Sequence, residues 1–188
     1  MIPKDTLVGL VKACQKGDEQ AQAAFYNHYK KRLLGICRRY ARTSFEAEDI
    51  FQEAFIKVFQ KIGEVKQPEA VHYWIKSIVI RTAIDHYRKN SRFGVVEDAD
   101  KPGVLPEEPD PFDVLDSLER EEVVAAISSL SDGFRVIVNL YLIDGYEHQQ
   151  IAEMLGITAG TSKSQLSRAK VLLRNILNEK GLNAYEKG

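Results

Sequence analysis

Gly145-Tyr146-Glu147-His148-Gln149-Gln150-Ile151-Ala152-Glu153-Met154-Leu155-Gly156-Ile157-Thr158 runs straight into Ala159-Gly160-Thr161-Ser162-Lys163-Ser164-Gln165-Leu166-Ser167-Arg168-Ala169-Lys170. Ile151, Ala152 and Leu155 share one helical face. Gly156 ends that helix, because glycine takes the left-handed conformation that a C-cap needs. Thr158 suits the N-cap of a second helix. Leu166, Ala169, Leu172, Leu173, Ile176 and Leu177 spell the buried side of that second helix. Lys163, Ser164, Ser167 and Arg168 are left on its outer side, two cations among short hydroxyls. A short helix, a tight turn and a second helix with a polar, basic face is the layout of a helix-turn-helix, whose second helix enters the DNA major groove. On composition alone, the same face also fits an ordinary solvated surface.

The rest of the chain is helical by the same criterion. Leu7, Leu10, Val11 and Cys14 form one stripe, and Phe25, Tyr29, Leu33, Ile36 and Tyr40 a second. Ala47, Ile50, Phe51, Ala54, Phe55, Val58, Phe59 and Ile62 form a third, with Thr43 and Glu46 spaced as a capping box ahead of it. Pro68 stands where a first-turn proline belongs, before a helix carrying Val71, Trp74, Ile75 and Ile78. No alternating strand pattern and no internal repeat is visible. The expectation is an all-α protein of two small helical domains, residues 1–92 and 116–182, joined by a linker over 93–115. Helices of the second domain are predicted to begin near Asp116, Asp132, Glu147 and Thr158.

A net charge of −1 conceals a strong asymmetry. Residues 1–96 hold 17 Lys/Arg against 10 Asp/Glu, whereas residues 97–122 hold 2 against 11, and residues 123–188 hold 7 against 6. The acidic segment also contains Pro102, Pro106, Pro109 and Pro111, so it reads as an extended strap between domains. Its charge opposes that of the first domain, and attraction between them is expected to cover the DNA-binding faces of the free chain.

Several classes are disfavoured. No apolar run approaches a membrane span and Met1-Ile2-Pro3-Lys4-Asp5 is no signal peptide, which points to a cytoplasmic protein without membrane insertion. Cys14 and Cys37 lie on apolar helical faces with no neighbouring histidine and read as reduced core residues. His28, His72, His86 and His148 form no nucleophile triad, metal spacing or phosphate loop. Neither enzymatic activity, nor a cofactor, nor a metal is expected.

Several stretches carry a resemblance. Gly160-Thr161-Ser162-Lys163-Ser164-Gln165-Leu166-Ser167-Arg168-Ala169-Lys170 resembles the "GTVKSRLhRAR" run of bacterial sigma factors of the extracytoplasmic-function (ECF) type, and Leu130-Ser131-Asp132-Gly133-Phe134-Arg135 their "LPxxxR" entry. Ser162 stands for the usual Val, Gln165 for Arg, and Gln150 for the Glu of "EEIA". Gly17-Asp18-Glu19-Gln20-Ala21 with Phe25, Tyr26 and Tyr29 is similar to the family's opening motif. Glu46-Ala47-Glu48-Asp49-Ile50-Phe51-Gln52-Glu53-Ala54-Phe55 is similar to "DAEDLVQEvF". Trp74 to Ile78 and Thr82 to Lys89 are similar to "WLyrIaxNxaiDxyRk", with Arg81 where many members carry Asn.

The resemblance implies a transcription initiation factor that brings core RNA polymerase to promoters. It implies that Asp49, Gln52 and Glu53 bind the clamp helices of the polymerase and that the second domain meets its flap. An acidic, amide-bearing face suits a basic partner by charge complementarity. It implies that Tyr73, Lys76, Ser77, Arg81, Arg88 and Lys89 handle the minus-ten element; rings among cations suit single-stranded DNA, since bases stack and phosphates pair. Trp74 fits the core by its spacing. Thr161, Lys163, Ser164, Gln165, Ser167 and Arg168 would face the minus-thirty-five element, and an anti-sigma factor is a further implied partner. A stand-alone dimeric DNA-binding regulator is one rival, separated by binding to isolated core polymerase; a helical enzyme, or an adaptor working only through protein contacts, is a second, and an adaptor would bind no promoter DNA with or without polymerase.

Overall fold

The computed structural model describes residues 4–90 and 120–179, and every regular element among them is helical. The chain divides into two compact units at Ser91 and Arg92. The strap over 93–115, its expected attraction to the first unit, and the helix onset near Asp116 lie outside the described residues.

The first unit holds α1 (Lys4–Gln15), α2 (Glu19–Tyr40), α3 (Ser44–Lys61) and α4 (Val71–Asn90). Gly17, at φ 83°, turns the chain out of α1, and the Asp18 carboxylate starts α2 by accepting the Ala21 N–H at 2.9 Å. Thr43 caps α3, its hydroxyl accepting the Glu46 N–H at 3.1 Å. The return arm of this capping box closes one residue early, because the Glu46 carboxylate accepts the N–H of Arg42 at 2.7 Å. Two 3-10 turns, Ile62–Glu64 and Pro68–Ala70, connect α3 to α4. The Gln15 amide pins this connection to α1 by donating to the carbonyls of Ile62 (3.1 Å) and Val65 (2.9 Å).

The apolar stripes meet as spaced. Phe25, Tyr29, Leu33, Ile36 and Tyr40 of α2 are buried, as are Ala47, Ile50, Phe51, Ala54, Phe55 and Val58 of α3. An aromatic seam runs between them: Tyr26 lies 5.5 Å from Phe51 and 4.8 Å from Phe55, and Phe55 lies 4.7 Å from Phe51 and 5.8 Å from Phe59, ring centre to ring centre. Tilted and edge-on pairs at this range add to the burial term. Cys14 and Cys37 are buried free thiols, and burial pushes Cys37 up to about 12.

The second unit holds α5 (Arg120–Ser128), α6 (Asp132–Val138), a π-helical turn (Asn139–Ile143), α7 (His148–Leu155) and α8 (Ala159–Glu179). Gly156 sits in the left-handed region at φ 71°, and its N–H closes on the Ala152 carbonyl at 2.9 Å. The buried side of α8 differs from the sequence expectation. Leu172 is 40% exposed and Ile176 half-buried, whereas Ser162 and Gln165 join Leu166, Ala169, Leu173 and Leu177 inside. The stripe is rotated because α6 and α7 both pack against α8. No helix among the described residues is long and apolar enough to cross a membrane.

Phe55→Ala removes the ring that Tyr26, Phe51 and Phe59 share. It should destabilise the first unit by roughly 3–5 kcal/mol, read from urea unfolding followed by Trp74, the only tryptophan of the chain.

Candidate nucleic-acid and partner interfaces

Helix α3 buries one face and presents the opposite one. Asp49 and Gln52 are exposed there, and they are not alone: Phe45 is 74% and Ile56 59% exposed on the same strip. Neither apolar residue belongs to the buried stripe; their signal in the sequence is that they interrupt the polar side at the helical spacing of Asp49 and Gln52.

Glu53, expected with Asp49 and Gln52, is committed elsewhere. Its Oε1 is 2.8 Å from Lys57 Nζ and its Oε2 2.6 Å from His86 Nε2 on α4. Three further polar contacts flank it. Glu46 accepts from the Asn90 amide at 3.1 Å, and Lys57 Nζ donates to the buried Thr82 hydroxyl at 3.3 Å and lies 3.8 Å from Asp85. Three polar rungs therefore run antiparallel between α3 and α4. The Lys57 hydrogen bond is the main cause that holds Glu53 at about 2, far below its ordinary 4.5; burial opposes it, and the His86 hydrogen bond and both neighbouring charges add to it.

On α4, Tyr73 is 70% exposed, and Ser77, Arg81 and Arg88 follow it on one side at helical spacing. Lys76, half-buried, flanks this side, while Lys89 is exposed farther round. The Ser77 hydroxyl donates to the Trp74 carbonyl at 2.7 Å, so its proton is engaged with the helix itself. Trp74 is half-buried, and Val71, Ile75, Val79 and Ile80 form the packed side.

On α8, the first turn is set by Thr158. Its hydroxyl accepts the Thr161 N–H at 3.0 Å and pairs with the Thr161 hydroxyl at 2.9 Å. Lys163 is exposed, and Ser164, Ser167 and Arg168 are partly so. Ser164 donates back to the Thr161 carbonyl at 3.0 Å. Gln165, expected among the DNA-facing residues, is only 8% exposed and lies on the packed side. Buried Ser162 meets His148 of α7, Oγ to Nδ1 at 2.9 Å, while the His148 ring stacks on Tyr141 at 4.4 Å and 20°. Burial first, then the charges of Lys163 and Lys170, lower the His148 pKa. Gln150 closes the first turn of α7 by accepting the Glu147 N–H at 2.9 Å, so the amide does there what the family's carboxylate would.

A family model described as Sigma-70 region 2 matches residues 25–93, and one described as Sigma-70, region 4 matches residues 120–173. The ECF RNA polymerase sigma factor SigW of Bacillus subtilis (strain 168) is 30% identical over 183 residues, covering 90% of this chain and 95% of that protein. The chain belongs to the ECF sigma factors. The ECF RNA polymerase sigma-E factor of Escherichia coli (strain K12) is 27% identical over 175 residues, 88% of this chain and 91% of that one. A solved structure of CnrH in complex with the cytosolic domain of CnrY aligns over 92% of this chain and 97% of that one, with a TM-score of 0.49 at 17% identity.

As an ECF sigma factor the protein is a promoter-specific transcription initiation factor. The strip on α3 and the face on α4 both fall in the region 2 match. Most of α8, with the residues named on it, falls in the region 4 match.

The Glu53 rung gives this sigma factor an acid-dependent element of stability. The carboxyl is depressed in the folded state, so its contribution is fully present above about 4.5 and is lost as pH falls through about 2. The side chain is one-third exposed, so solvent screening limits the contribution to about 1 kcal/mol or less. Glu53→Gln should flatten this acid limb in Trp74-detected unfolding while leaving the urea dependence near neutral pH little changed in slope.

Proposed function

We propose that this sigma factor divides its work among three faces. The strip of Asp49 and Gln52, flanked by Phe45 and Ile56, docks on the clamp helices of core RNA polymerase. An exposed carboxylate and amide between two exposed apolar groups match a basic helical surface with apolar ridges. The α4 face takes the opened minus-ten strand: Tyr73 offers a ring for base stacking, and Arg81, Arg88, Lys76 and Lys89 supply cations for phosphates. The α8 face enters the major groove at the minus-thirty-five element. Lys163, Ser167 and Arg168 are its base and phosphate contacts, Ser164 serves as an acceptor, and Thr161 fixes the first turn. Gln165 supports the helix from its packed side. The second unit would also meet the polymerase flap, and an anti-sigma factor covering these faces is the further partner that belongs to this reading.

The observation that carries the proposal is that Asp49 and Gln52 of α3, Tyr73 and Arg81 of α4 and Lys163 of α8 are exposed on helices whose other sides are packed. Their side chains have the chemistry each target requires.

Asp49→Lys reverses charge on the docking strip without touching a buried contact. It should weaken binding to isolated core polymerase by roughly 2 kcal/mol or more with helicity unchanged, measured by fluorescence titration; undiminished affinity would remove the strip from the docking surface.

Arg168 can pair bidentately with guanine. Arg168→Ala should cost about 1–3 kcal/mol on the preferred promoter and relax selection at one base pair, whereas Lys163→Ala should weaken all sites alike and reduce the salt slope by about one. Binding of the polymerase-bound protein to single-base promoter variants at several salt concentrations separates the two.

A further inference from the structure

Between α3 and α4 the close-packed apolar core resists sliding, and polar contacts add directional constraint at defined points. Glu46 reaches Asn90, Glu53 reaches His86, and Lys57 reaches Thr82 and Asp85, in antiparallel order along both helices. Each rung needs its partner within hydrogen-bond distance, so together they set the axial register of α4 on α3. Glu53 is the hub, because it binds Lys57 and His86 with separate oxygens at 2.8 and 2.6 Å.

We infer that Glu53, Lys57 and His86 form a positioning device that fixes the strand-handling face of α4 relative to the polymerase-docking strip of α3. This rests on the docking and strand-handling roles proposed above. The ladder occupies the flank of α3 that faces α4, and Asp49, Gln52, Phe45 and Ile56 occupy the side facing solvent. Tyr73, Ser77, Arg81 and Arg88 lie on the same helix that the ladder holds. A slip of α4 would move all of them together relative to the docked polymerase, leaving α3's own strip intact. Glu53 thus acts through α4 and not by direct contact with the polymerase.

The test compares two readouts on the full chain: affinity for isolated core polymerase, and opening of the minus-ten region in the assembled polymerase, followed by permanganate reactivity of unpaired thymines. His86→Gln and Lys57→Gln lie off the docking strip. Both should leave core affinity within about twofold and reduce opening by about tenfold, since misplacing a positioned group costs rate without costing binding. Glu53→Gln should show the same split. Combining it with His86→Gln should add little more, as expected for two members of one interacting pair. A defect that arose only from lost stability would lower both readouts in parallel, and circular dichroism with Trp74-detected unfolding identifies it; that parallel loss in all three variants overturns the proposal. So does a Glu53→Gln protein that loses core affinity while His86→Gln and Lys57→Gln behave as the parent, because Glu53 is then a docking residue. Normal opening in all three variants also overturns it. Asp49→Lys serves as the separate control: if it retains full core affinity, the docking reading fails, whatever the ladder variants show.

Discussion

Helix α3 has to bury two flanks at once, one against α2 and one against α4, and this fixes which of its polar groups remain for a partner. The aromatic seam of Tyr26, Phe51, Phe55 and Phe59 holds the α2 flank. The α4 flank takes Ile50 and Ala54 into the core and engages Glu46, Glu53 and Lys57 in polar contacts. What is left is an exposed side on which Phe45 and Ile56 lie beside Asp49 and Gln52. The exposed strip is thus what the two packed flanks leave over.

The second unit solves a different problem. A short helix and a turn must deliver α8 at a fixed angle, with little core of their own. Gly156 makes the turn by adopting a positive φ, and Thr158 closes the next helix. Buried Ser162 would be costly without a partner, and His148 supplies one while Tyr141 holds its ring. The π-helical turn at Asn139–Ile143 inserts one residue and closes on itself through the Asp144 N–H and the Asn139 carbonyl at 2.9 Å. Tyr141 belongs to that turn, so an irregular segment contributes directly to the brace under α8.

Much of this was legible in the sequence, for identifiable reasons. The stripes of α2 and α3, the Thr43 cap, the Pro68 start, the Gly156 stop and the Thr158 cap are local signals, carried by residues within one or two turns of each other. The phase of α8 was not, because whether Leu172 or Gln165 turns inward depends on where α6 and α7 pack. The commitment of Glu53 to His86 was likewise invisible: the two residues are 33 positions apart and meet only once α3 and α4 are antiparallel. Phe45 and Ile56 stand outside the apolar stripe, and the period of that stripe marks what is buried and not what is left exposed. The family resemblance implies the roles of the faces; the geometry pairs Glu53 with Lys57 and His86 and puts Gln165 on the packed side of α8.

The most direct measurement is transcription in vitro with core RNA polymerase, the purified chain and a library of randomised promoters, read by sequencing the transcripts. The expected result is initiation from a subset of templates that share two sequence elements at a fixed separation, absent with core polymerase alone. Transcripts no more abundant or selective than those of the core enzyme would contradict the assignment of the three faces, and so would selection for only one element.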